Sequence, residues 1–200
     1  MSRFHQGTAT THVRPHTTVD HRPGGLDVDI EASSAWIAVG VFDAKAGREP
    51  AVLSSVETMI EQFARERPVP SAFVMASRDG HRVVAFLWLA GHDAFRALQS
   101  AWDQHHLHLA REDKAESMRL ALCHCTATSG DPLFEIGTTE VVTFEEHTGA
   151  NAVLPSGDDD TVLGRALLVD DVAQHSFVLS RFSRYDGNAR RYAIARSWGS

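Results

Sequence analysis

Two segments of this chain carry nearly the same pattern, and a repeated supersecondary unit narrows the accessible folds more than any bulk property does. The first is Phe73-Val74-Met75-Ala76-Ser77-Arg78-Asp79-Gly80-His81-Arg82-Val83-Val84-Ala85-Phe86-Leu87-Trp88. The second runs through Phe177-Val178-Leu179, Tyr185-Asp186-Gly187-Asn188 and Arg191-Tyr192-Ala193-Ile194-Ala195-Arg196-Ser197-Trp198. Each joins two β-prone runs through Asp-Gly, a dipeptide that accepts positive φ in a tight turn, and each ends in Trp. Two copies of one hairpin-bearing unit are expected.

Periodicity places the remaining elements. Residues 1–33 are polar, rich in Thr and His, and contain Pro15 and Pro23, so a flexible arm is expected there. Trp36 to Phe42 reads as a strand. A helix with Pro50 in its first turn follows, with Leu53, Val56, Ile60 and Phe63 on one stripe, and it stops before Pro68. After the hairpin Ala72 to Leu89, a second helix begins at Asp93 with Phe95, Leu98 and Trp102 on a face, and Met118 to Thr126 reads as a fourth strand. Strand, helix, strand, strand, helix, strand is the split βαβ, or ferredoxin-like, order of an α+β fold. It occupies residues 34–128. Residues 129–200 restart the pattern: Glu140 to Glu145 as a first strand, Thr161 to Ala173 as a helix or a strand, and Ser176 to Trp198 as a closing hairpin. The second copy is thus expected to be truncated, lacking its last helix and strand. Alternatively, the C-terminal strands extend the first sheet.

Composition excludes several functions. Lys and Arg total 19 against 26 Asp and Glu, for a net charge of -7. No basic cluster is present, so no nucleic-acid partner is expected. No apolar run approaches the roughly 18 residues of a membrane span, and no signal peptide is evident, so a cytoplasmic protein away from membranes is expected. Cys123 and Cys125 lie two apart on one strand, a poor geometry for a disulfide. Hydrolase, NTPase and Rossmann motifs are missing. The His105-His106-Leu107-His108 and Cys123-His124-Cys125 groups offer zinc donors, but not at zinc-site spacing, so neither metal nor cofactor is expected. Asp158-Asp159-Asp160, Glu145-Glu146-His147 and Asp170-Asp171 read as solvent-facing charge.

The segment Arg82-Val83-Val84-Ala85-Phe86-Leu87-Trp88-Leu89-Ala90-Gly91-His92-Asp93-Ala94-Phe95-Arg96-Ala97-Leu98-Gln99-Ser100, followed by Gln104-His105-His106, resembles the antibiotic-biosynthesis-monooxygenase-like members of the dimeric α+β barrel superfamily. There, too, a strand ends in Trp, a helix follows, and a His-containing loop comes next. The resemblance implies a ferredoxin-like sheet packed on another sheet, with a ligand pocket between sheet and helices. It implies a cofactor-independent monooxygenase or oxidase, or a cyclase, acting on an aromatic polyketide-like small molecule. Leu98 stands where haem-degrading members carry a His, so haem chemistry is not implied. Such chemistry needs a dry aromatic pocket with polar groups for an oxyanion. Trp88, His92, His105 and His106 are the candidate catalytic residues; Trp36, Arg82, Phe86 and Trp198 are the candidate substrate contacts. The alternative is a non-catalytic module of the same fold that binds a small hydrophobic ligand or only dimerises. A truncated second unit would leave apolar sheet surface exposed, so a homodimer is expected.

Overall fold

The computed structural model describes residues 36–130, 141–149, 153–155, 160–170 and 175–199. The expected N-terminal arm, with His5, His12, His16 and His21, lies outside them, as do Asp158, Asp159 and Asp171.

Helix α1 (Glu49–Glu66) starts with Pro in its first turn, where the missing N–H costs nothing, and buries Val52, Val56, Met59, Ile60 and Phe63. It ends where Arg67 turns extended ahead of Pro68. Helix α2 (His92–Arg111) buries Leu98, Trp102 and Leu109. The first-half strands are β1 (Trp36–Ala44), β2 (Ser71–Ser77), β3 (Arg82–Leu89) and β4 (Ala115–Gly130). The second half contributes β5 (Val141–Thr148), β6 (Val162–Asp170), β7 (His175–Phe182) and β8 (Arg191–Gly199).

These strands close into one antiparallel barrel in the order β1-β3-β2-β8-β5-β7-β6-β4. Numbered within each half, both halves pair in the same order: fourth, first, third, second. The seams are β2 against β8 and β4 against β6.

Alternation sorts the side chains into two cores. Ile37, Val39, Val41, Phe73, Met75, Phe86 and Trp88 point into the barrel with Phe144, Phe177, Leu179 and Tyr192. Ala38, Phe42, Val74, Val83, Ala85 and Leu87 point outward, onto the two helices. Strands β1 and β3 are therefore buried on both faces, which is why they read as nearly unbroken apolar runs. Gly40 faces the helix layer, and a Cβ built there would lie 2.7 Å from the Trp102 ring. Only hydrogen on that α-carbon lets the indole of α2 approach β1 this closely.

The second half departs from the sequence reading. Residues 162–170 are a strand, β6, so the Thr161–Ala173 helix is not formed there. Ser176 to Trp198 is not a hairpin either, because β5 lies between β7 and β8. The Asp186-Gly187 segment connects two non-neighbouring strands, and a local Asp-Gly signal cannot tell a hairpin turn from such a crossover. The second half also has a fourth strand, β8; among the described residues it lacks the helices instead. The sheet face that the sequence reading leaves for a partner copy is covered by β5–β8 of the same chain.

We expect Gly40→Ala to destabilise the fold by about 1–3 kcal/mol through overpacking against Trp102, measured by denaturant unfolding with a matched m-value. Unchanged stability would contradict the close packing of α2 on β1.

Candidate active site at the barrel mouth

Polar side chains gather where the inward-facing rows reach one end of the barrel. On β1 the row Ile37, Val39, Val41 ends at Asp43; on β3 the row Trp88, Phe86, Val84 ends at Arg82. The Arg82 Nε donates to Asp43 Oδ1 at 2.6 Å, and the Ser117 hydroxyl donates to Oδ2 of the same carboxylate. Burial pushes the Asp43 carboxyl up, but the hydrogen bonds from Arg82 and Ser117 outweigh it and hold the group below the usual 3.8. From β4, Arg119 donates to Glu146 of β5. His175, at the start of β7, brings its Nδ1 to 3.7 Å from Glu146 Oε1, too long for a hydrogen bond, and that buried nitrogen has no hydrogen-bond partner among the described residues.

Beside Arg119, Glu146 and His175 lies a cavity of about 270 Å³, lined by them and by Val39, Val41, Ala121, Phe177 and Asp170. Behind it runs a column of rings. Phe177 stacks on Phe144 at 5.3 Å, Phe144 meets Phe86 edge-on at 5.9 Å, and Phe86 stacks on Phe73 at 4.6 Å, with Trp88 5.8 Å beyond. Offset and edge-on contacts of this kind fix ring orientation as well as burying area. Tyr192 stands edge-on to Phe144, and burial raises its phenol against the opposing pull of Arg82 and Arg190. Cys123 is buried beside Asp170, and both desolvation and that carboxylate push its thiol up, so it is no nucleophile.

The sequence-nominated residues divide into three places. Arg82, Phe86 and Trp88 share the barrel interior, Arg82 at the polar rim and the two aromatic rings in the column. Trp36 faces the helix layer, its ring 3.8 Å from His124 and 5.3 Å from the exposed His92. Trp198 also faces outward: a register shift between Val74 and Met75 reverses the alternation of β8 after Ile194, and the indole lies under Arg196, whose Cζ is 5.0 Å from the ring. His105 sits in a cleft of about 510 Å³ between α1 and α2, where burial above all, then His108 and Lys114, lowers its pKa. His106 is exposed on α2. The sheet thus separates His92, His105 and His106 from Phe86 and Trp88, and the layer between sheet and helices is filled by Met59, Ile60, Leu98 and Trp102.

Two corrections concern charge. Glu146 shares the inward row of Val142 and Phe144, and Asp170 is only 7% exposed, so neither belongs to a solvated run. Period-two spacing from Phe144 was the available signal for Glu146. His175 and Arg119 had no comparable mark, since their convergence depends on which strands neighbour one another. Cys123 inside the barrel and His124 against Trp36 lie on opposite faces of β4, and no group of three or more metal-binding side chains occurs among the described residues.

No family model matches the chain, and no curated protein matches it by sequence. Solved structures do. An anthrone oxidase-like protein superposes with a TM-score of 0.61 at 12% identity, over 86% of this chain and 96% of its own. A protein of Fusobacterium nucleatum subsp. nucleatum assigned as a monooxygenase superposes with a TM-score of 0.55 at 13% identity, over 82% of this chain and 94% of its own. At such identities the likeness establishes a common α+β barrel fold.

The lowered Asp43 carboxyl carries a signed expectation. Its contribution to stability is present above 3.8 and is lost as pH falls through the lower folded value. Asp43→Asn should therefore be less stable than the parent at pH 7, and the gap should close below pH 3.8. Urea unfolding across that range reads it; a gap independent of pH would contradict the pairing.

Proposed function

We propose that this chain is an oxidase or monooxygenase that works without metal or flavin on a small phenolic or anthrone-like molecule held in the barrel cavity. The observation that carries this reading is the meeting of apolar walls with a buried His175 Nδ1 that has no hydrogen-bond partner among the described residues, in a space of about 270 Å³. That volume sits near the lower end of ligand pockets and suits a molecule of a few fused rings. The fold shared with an anthrone oxidase-like protein supports the same class.

In this reading His175 accepts the substrate's acidic proton, and Arg119, which lines the cavity, favours the resulting anion. The electron-rich anion passes an electron to dioxygen; recombination forms a hydroperoxide, and loss of water leaves a carbonyl. For anthrone the sum is a CH2 group plus O2 giving C=O plus H2O. Phe177 supplies a flat wall, and the ring column through Phe86 to Trp88 keeps that wall rigid. The second half of the barrel, with four strands in the first half's pairing order, is a copy that retains the sheet and, among the described residues, carries no helix. A non-catalytic ligand-binding module is the competing reading, favoured by the Arg119–Glu146 pair that already occupies the rim.

Dioxygen uptake with anthrone as probe tests the assignment. The parent should exceed the buffer rate, and His175→Gln should lower the protein-dependent rate by about 100-fold or more while leaving the melting temperature near that of the parent. Anthrone binding without uptake would favour the non-catalytic module. Uptake unaffected by His175→Gln would remove that residue from the chemistry.

A further inference from the structure

The Arg119–Glu146 pair is placed unlike an ordinary cross-strand ion pair. Strands β4 and β5 are not neighbours, since β6 and β7 lie between them in the barrel order. The two side chains therefore reach across the mouth rather than along a ladder, and both line the cavity. We propose that Glu146 occupies, in the empty protein, the seat of a ligand carboxylate, and that the molecule bound here is an aromatic acid whose carboxylate displaces Glu146 from Arg119. The proposal rests on the cavity assignment made above and adds the charge of its occupant.

Three features point to exchange. The Arg119 side chain is 44% exposed and that of Glu146 18%, so the pair sits at the solvent edge, where ion pairs contribute little and are readily replaced. A displaced Glu146 keeps a partner once His175 has taken up a proton, because His175 Nδ1 already lies 3.7 Å away with no hydrogen bond of its own among the described residues. The guanidinium already holds a carboxylate, so a ligand carboxylate meets a donor fork of matching shape, whereas a phenolate offers a single oxygen. What the ligand adds beyond Glu146 is apolar area. Its ring would cover Val39, Val41, Ala121 and Phe177, which the glutamate leaves open.

Three probes of similar ring size test this at pH 7 by calorimetry or fluorescence on the full chain: 2-naphthoate, 2-naphthol and 2-methylnaphthalene. The parent should bind naphthoate at least tenfold more tightly than naphthol or the hydrocarbon. Arg119→Gln should remove that preference and leave naphthol binding within twofold. Glu146→Gln should do the opposite, strengthening naphthoate several-fold because the competitor has lost its charge. Arg119→Lys, which keeps the charge without the fork, should lie between. Melting curves of all three variants identify any that fails to fold, and the remaining variants then decide. If Glu146→Gln weakens naphthoate, or Arg119→Gln leaves the preference intact, the carboxylate seat is wrong while the cavity stands. Preference for naphthol over naphthoate would assign the rim to a phenolate and overturn the proposal. If none of the three probes binds, the cavity assignment falls with it.

Discussion

Closure of the sheet is the constraint on which the rest of the molecule depends. The four strands of the first half present an apolar face built of Val39, Met75, Phe86 and Trp88, which water would penalise by roughly 25 cal/mol for each Å² left uncovered. The β2–β8 and β4–β6 seams bring the second sheet over that face with its own Phe144, Phe177 and Leu179. Ladder hydrogen bonds at both seams also leave no free strand edge among β1–β8. Once the circle is complete, the inward rows have only the barrel ends at which to place charge.

Polar groups at a barrel end occupy an intermediate environment, and their pairings follow from it. Asp43 is partly desolvated yet keeps its charge because two donors reach it. Cys123 and Tyr192, deeper in the barrel, stay protonated: burial pushes both up, Asp170 adds to the effect on Cys123, and nearby arginines offset it only in part for Tyr192. The same gradient leaves His175 half-buried against apolar walls, where an imidazole nitrogen that has no hydrogen bond among the described residues is costly unless something else comes to meet it. A rim that is structurally incomplete, set over a floor fixed by stacked rings, is a suitable place for a small molecule to dock.

The first half was legible because its signals are local. Pro50 opens α1, the stripe through Val56 and Phe63 sets the buried side of that helix, and Asp79-Gly80 joins two neighbouring strands. The second half misled at the point where its signals required long-range information. Asp186-Gly187 carries the same dipeptide, but β5 intervenes between the strands it connects, and the Leu167-Leu168-Val169 run suits a strand buried on both faces as well as a helix. Site residues divided the same way. Arg82 and Phe86 follow from alternation along a single strand, whereas Trp198 was placed on the wrong face by a one-residue bulge that leaves no mark in composition. Arg119, Glu146 and His175 come from three strands that are distant in sequence, and only the order of the barrel brings them together.

Joining both sheets in one polypeptide has a consequence for symmetry. Arg119 belongs to the first half and Glu146 to the second, and the bridge between them spans unlike partners. Two identical subunits would have to repeat any such bridge about their twofold axis, producing a matched pair of openings. A single chain escapes that duplication: its two sheets need not be identical, so one opening can specialise while the described helices stay on the flank of β1–β4.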